Sequence, residues 1–131
     1  MATIPSTPAP MMVYRDPQRW RIDNVQVQYD RQTDILYMHT LPMVSAGGIY
    51  LRPGDEVLAL VQGNGEVVGM QIENFRTVWL KTHPEVAPSF RAATRPILSH
   101  LMHTAWGNFS RIVVNSVTRE ASSIGPYPAH L

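Results

Sequence analysis

An Asn-Gly pair at positions 64 and 65, set between the apolar runs VLALV and VVGMQI, does most to narrow the folds open to this chain. Both residues tolerate positive φ and favour a two-residue hairpin turn of type I′. With that turn the register follows. Gly63 faces Glu66, Val61 faces Val68, Ala59 faces Met70 and Val57 faces Ile72, so one face of the hairpin is wholly apolar. Leu60 then lies opposite Gly69, and Glu56 opposite Glu73, a like-charge pair at which the ladder is expected to fray or bulge. The competing reading of GNGEVVG as a phosphate cradle requires a helix to start after the glycines, so that its first amides reach the anion. The strand-like VVGMQIENF follows instead, and the glycines are read as a turn.

The same period of two recurs upstream. In WRIDNVQVQYD, Val25, Val27 and Tyr29 share one face while Gln26 and Gln28 share the other; in ILYMHT, Leu36 and Met38 oppose Ile35, Tyr37 and His39. The polar stretch from Asp30 to Asp34 turns the chain between them. Both faces of this second strand are partly apolar. A sheet so built wants a helix on one side and further cover, such as a second copy of itself, on the other.

Beyond residue 76 the period changes. Phe90, Ala93, Ile97, Leu98, Leu101 and Ala105 fall at helical spacing, Gly107 reads as a stop, and Pro88 and Pro96 divide the segment into shorter helices or kink it. The β-branched RIVVNSV then predicts a last strand near 109–118. The expected fold is α+β: an antiparallel sheet with hairpins near 20–40 and 56–73, a helical segment on one face, and that last strand. Residues 1–131 are expected to form one domain, with a flexible arm over 1–10 and an irregular tail over 122–131.

Composition limits the chemistry. There is no cysteine, which removes disulfides, thiolate metal sites and cysteine nucleophiles. No leader-like apolar core and no apolar run near membrane-spanning length occurs, so a cytoplasmic, non-membrane protein is expected. The net charge of +1 is unevenly spread: Arg52 alone opposes Asp55, Glu56, Glu66 and Glu73 in the middle, while residues 76–131 hold six bases against Glu85 and Glu120. Such asymmetry suits two solvated faces, oriented self-association or an anionic partner alike.

The residues YD...DILYM followed by NGEVVGMQI resemble the small bacterial and archaeal family known as domain of unknown function 2283. The matching positions are Tyr29, Asp30, Asp34, Leu36, Tyr37 and Met38, then Gly65, Val67, Val68, Gly69, Met70 and Ile72. The resemblance covers roughly residues 25–75; where the family carries acidic residues, this chain has Leu60, Gln62, Asn64 and Gln71. It implies a β-rich module without established catalytic residues, some relatives of which look like partners of neighbouring toxin-like proteins.

Candidate sites are few. Asp30 and Asp34 could form a carboxylate pair, but aspartates flanking a turn commonly bond nearby backbone. His100 and His103, spaced i and i+3, are weak metal candidates, with His83 and Glu85 as distant additional ligands. Tyr14, Arg15, Arg19, Trp20 and Arg21 gather aromatic and guanidinium groups of the kind that protein interfaces use, although Trp20 could equally pack the core edge. Arg91, Arg95 and Arg111 would make a nucleic-acid groove only by joining that cluster in space. The expectation is a non-enzymatic interaction module that self-associates as a homodimer, with no cofactor and no nucleic-acid partner. Alternatives are an antitoxin-like regulatory partner of a toxin-like protein, a metal-assisted hydrolase using His100 and His103, and a weak nucleic-acid binder.

Overall fold

The computed structural model describes residues 12–13, 15–41, 48–95, 99–122 and 127–128, with side chains over 15–41, 48–95 and 103–119. Strands β1 (Met12–Val13) and β7 (Tyr127–Pro128) pair antiparallel near the two ends of the chain. The expected arm over 1–10 lies outside the described residues; of the expected tail over 122–131, Ser122 ends a helix and Tyr127–Pro128 form β7.

Between these lie β2 (Val25–Asp30), β3 (Ile35–Thr40), β4 (Ile49–Gly54), β5 (Val57–Val61) and β6 (Val67–Ile72), forming a five-stranded antiparallel sheet in the order β2-β3-β6-β5-β4. The period-2 reading holds: Val25 and Val27 of β2 and Leu36, Met38 and Thr40 of β3 are buried. Strand β4 was not legible in the sequence. As an edge strand with mostly exposed residues it shows no apolar period, and Pro53 stands at a bulge between Leu51 and Gly54, where no ladder amide is needed.

The Asn-Gly turn forms a hairpin, but with a different loop. Gly65 takes φ 87°, its N–H donates to the Gln62 carbonyl at 2.8 Å, and the Gln62 N–H donates to the Glu66 carbonyl at 2.9 Å. The loop therefore holds three residues, 63–65, closed by a left-handed glycine. The longer loop shifts the register by one, so Val61 meets Val67 instead of Val68. A bulge at Val68 absorbs the slip, and Leu60 meets Gly69, Ala59 meets Met70 and Val57 meets Ile72, as expected from the sequence. The Glu56–Glu73 end does not fray: the Glu73 N–H donates to the Glu56 carbonyl at 2.7 Å, and Arg52 Nη2 reaches Glu73 Oε1 at 2.6 Å, offsetting the like charges.

After β6, Asn74 at φ 50° starts a π-helical turn, Phe75–Trp79, that runs into α1 (Leu80–Thr82). Helix α2 (Ala87–Thr94) carries Pro88 in its first turn, where a missing amide is tolerated, and α3 (Ser99–Ser122) spans 24 residues. The helical segment is divided into shorter pieces, as expected, with α2 ending at Thr94 and α3 starting at Ser99; Pro96 lies outside the described residues. The last strand expected near 109–118 is corrected: that stretch is the C-terminal half of α3. Its buried residues Phe109, Val113, Val114 and Val117 follow helical spacing, and packing this stripe on the core outweighs the β preference of Ile112, Val113 and Val114. Gly107, read as a stop, lies inside the same helix.

The core lies between the sheet and the helices. Phe75 stacks on Trp79 at 5.2 Å and meets Phe90 edge-on at 5.1 Å; Phe109 of α3 meets Phe90 at 5.3 Å and Trp106 at 5.0 Å. Trp106 Nε1 donates to the Val27 carbonyl at 3.2 Å, so α3 covers part of the free edge of β2. Among the described residues, no helix is long and apolar enough to cross a membrane.

Candidate functional site

The stretch singled out as a partner surface divides by fate. Tyr14 lies outside the described residues. Trp20 is 5% exposed, with its indole N–H donating to the Val67 carbonyl at 2.8 Å, so it belongs to the core and offers no contact surface. Arg15 Nη2 donates to the Thr118 carbonyl near the end of α3 at 2.6 Å. Arg19 Nε lies 3.1 Å from Oε1 of the buried Glu66, and Arg21 points into solvent 3.7 Å from Asp23. The arginines are thus anchored to separate elements and do not converge.

Asp30 and Asp34 do not form a catalytic pair either. Asp30 Oδ1 accepts from the Gln32 N–H at 3.0 Å, an ordinary turn contact. Asp34, at φ 56°, accepts at Oδ1 from the Tyr29 hydroxyl (2.7 Å) and the Arg76 N–H (2.8 Å), and at Oδ2 from the Thr77 hydroxyl (2.9 Å) and N–H (3.2 Å). Burial acts to raise the Asp34 pKa, but the Arg76, Tyr29 and Thr77 hydrogen bonds outweigh it and hold the carboxyl below its usual value. The Tyr29 hydroxyl is pushed up to about 12, first by burial and then by its bond to Asp34. This carboxylate clamps the first turn of the β6–α1 connection onto the β2–β3 hairpin. Tyr29 and Asp34 thus hold elements of the fold together.

His103 is exposed on α3, and the side chain of His100 lies outside the described residues. His83 stacks flat on Trp79 with centroids 3.7 Å apart, while Glu85 accepts from the Ser116 hydroxyl at 3.2 Å. Among the described residues no group of three metal-binding side chains exists.

What remains is the sheet face turned away from the core. Three rows cross it: Gln26, His39, Gly69, Leu60 and Tyr50; then Gln28, Tyr37, Gln71 and Leu58; then Asp30 and Ile35. Leu58, Leu60, Ile35 and Tyr37 are half-buried, and Tyr50 is 55% exposed. A Cβ added at Gly69 would come within 3.4 Å of the Leu60 Cβ, so the absent side chain lets Leu60 lie across β6. The β2 side of this face is polar, with His39 Nε2 2.9 Å from Gln26 Oε1; the β5 and β4 side is apolar. The sequence signalled the β3 part of the face. It did not signal Tyr50, because β4 itself was not legible.

Comparison with known proteins adds no relative: no family model, no curated protein and no solved structure matches this chain.

Proposed function

We propose that this protein is a non-enzymatic interaction module that self-associates as a dimer through the outward face of its sheet. The observation that supports this is the apolar patch of Tyr50, Leu58 and Leu60 on β4 and β5, continued beyond Gln71 of β6 by Tyr37 and Ile35 of β3, on the face opposite the helices. Tyr50 is the aromatic anchor of such a contact, open to water in the single chain and able to release that water on docking. The polar row of Gln26 and Gln28 borders the patch and gives the face a direction, so two copies related by a two-fold axis can set apolar half against apolar half. The resemblance of residues 25–75 to domain of unknown function family 2283 forms part of the same reading, and a cytoplasmic setting is its natural context.

Sedimentation velocity or native mass spectrometry across a concentration series tests the proposal. The wild-type chain is expected as a dimer, and Tyr50→Glu combined with Leu60→Glu as a folded monomer. A wild-type chain that remains monomeric at the highest concentration, or a double variant that still dimerises, overturns it.

A further inference from the structure

The solvent side of the α2–α3 pair holds an open groove of about 630 Å³ whose polar lining, among the described residues, is Arg95, Arg111, Thr104 and Asn108. Arg95 follows the last turn of α2 and Arg111 comes from the middle of α3, so residues 16 apart in sequence approach one cavity from two helices. Arg111 is steadied from one turn earlier on α3: its Nη2 donates to Asn108 Oδ1 at 2.6 Å, which leaves the other guanidinium N–H groups to donate elsewhere. Among the described residues no carboxylate lines the groove, and two guanidinium groups share it without a counter-charge.

Among the described residues the apolar lining is small: Ala92, Ala105 and Gly107. Gly107 is exposed in the interior of a helix, where glycine is unfavourable, yet a Cβ added there would meet nothing within 4 Å. No close approach inside the protein requires the glycine. A larger side chain at this lining position would extend into the groove.

From these features we propose that the α2–α3 groove binds a small organic anion, a carboxylate or phosphate group on a short apolar body, with Arg95 and Arg111 holding the anion and the small residues accommodating the body. The groove's volume falls within the roughly 300–1,000 Å³ of small-molecule sites. Its described lining contains no aromatic ring on which a nucleic-acid base would stack, which favours a small anion over a single-stranded polymer. The site lies across the helices from the open sheet face and does not depend on self-association.

The test is titration calorimetry of the full chain with hexanoate, hexyl phosphate and inorganic phosphate, alongside the arginine Nε–H resonances in nitrogen-15 spectra. Expected is binding of hexanoate or hexyl phosphate with a Kd below about 1 mM, weakened about tenfold or more by Arg95→Gln and by Arg111→Gln. Hexanoate binding alone identifies a carboxylate ligand, and hexyl phosphate binding alone a phosphate ester. Gly107→Leu is expected to abolish binding while raising Tm, a combination that loss of folding cannot produce. The proposal is overturned if neither alkyl anion binds at 10 mM, if both arginine variants bind as wild type does, or if an oligonucleotide binds through these arginines and the small anions do not.

Discussion

The Tyr29 hydroxyl donates to Oδ1 of Asp34 at 2.7 Å, and the same oxygen accepts the Arg76 N–H at 2.8 Å, so one carboxylate ties a hairpin to a turn 42 residues further along the chain. Asp34 at φ 56° occupies a conformation that aspartate and asparagine tolerate better than most residues. Asp34→Asn therefore keeps the backbone while removing the charge that strengthens four hydrogen bonds.

The pH dependence of stability follows from both partners. Asp34 has its folded pKa depressed, so its contribution is present above its unfolded value near 3.8 and is lost as pH falls through the folded value. Tyr29 has its folded pKa raised from 10.0 to about 12, so its contribution is present below pH 10 and is lost as pH rises toward 12. Urea unfolding between pH 2 and 12 should show both declines. Asp34→Asn should cost about 1–3 kcal/mol at pH 7 and flatten the acid limb, and Tyr29→Phe should flatten the alkaline limb. Unchanged limbs in both variants would count against the clamp.

The bulge at Val68 supplies a second test. A bulge frees backbone groups from the ladder, and here the Val67 carbonyl accepts the Trp20 indole N–H at 2.8 Å while the Val68 carbonyl accepts the Thr40 hydroxyl at 3.2 Å. Thr40 is 2% exposed, so no water replaces its hydroxyl. Thr40→Val, nearly identical in shape, should destabilise the protein by about 1–3 kcal/mol, and Thr40→Ser by less. Thermal unfolding of the two variants distinguishes loss of the hydroxyl from loss of packing.

The sequence revealed the parts of this fold that bury one face and expose the other. Strands β2 and β3 and the pairing of Ala59 with Met70 were legible for that reason. Strand β4 is mostly exposed, with only Leu51 packed against the core, and carries Pro53 at its bulge, which leaves no clear period to read. The run Ile112–Val114 carries a local β preference that only the packing of Phe109, Val113 and Val117 on the sheet overrules. That Arg95 and Arg111 line one groove depends on how two helices lie against each other, which no local pattern encodes. Trp20 was visible as an aromatic among arginines, but its role as the partner of a bulge carbonyl depends on a register slip 47 residues away.

Glu66 presents a buried charge that a double-variant cycle can weigh. Its side chain is 7% exposed and that of Arg19 32%, with Nε 3.1 Å from Oε1. No N–H is aimed at that oxygen, which has no hydrogen bond, so the contact with Arg19 is one of charge. Removing the arginine strands a carboxylate next to the turn that sets the β5–β6 register, whereas removing the carboxylate leaves Arg19 free to reach water. Arg19→Ala is therefore expected to cost about 2–3 kcal/mol, toward the low side of buried pairs because a third of its side chain already meets solvent. Glu66→Gln should cost less than Arg19→Ala, and the double variant should recover most of the loss, giving a coupling energy of about 1–2 kcal/mol in chemical unfolding. Additive single effects would mean that Arg19 acts by covering Glu66 and not by its charge.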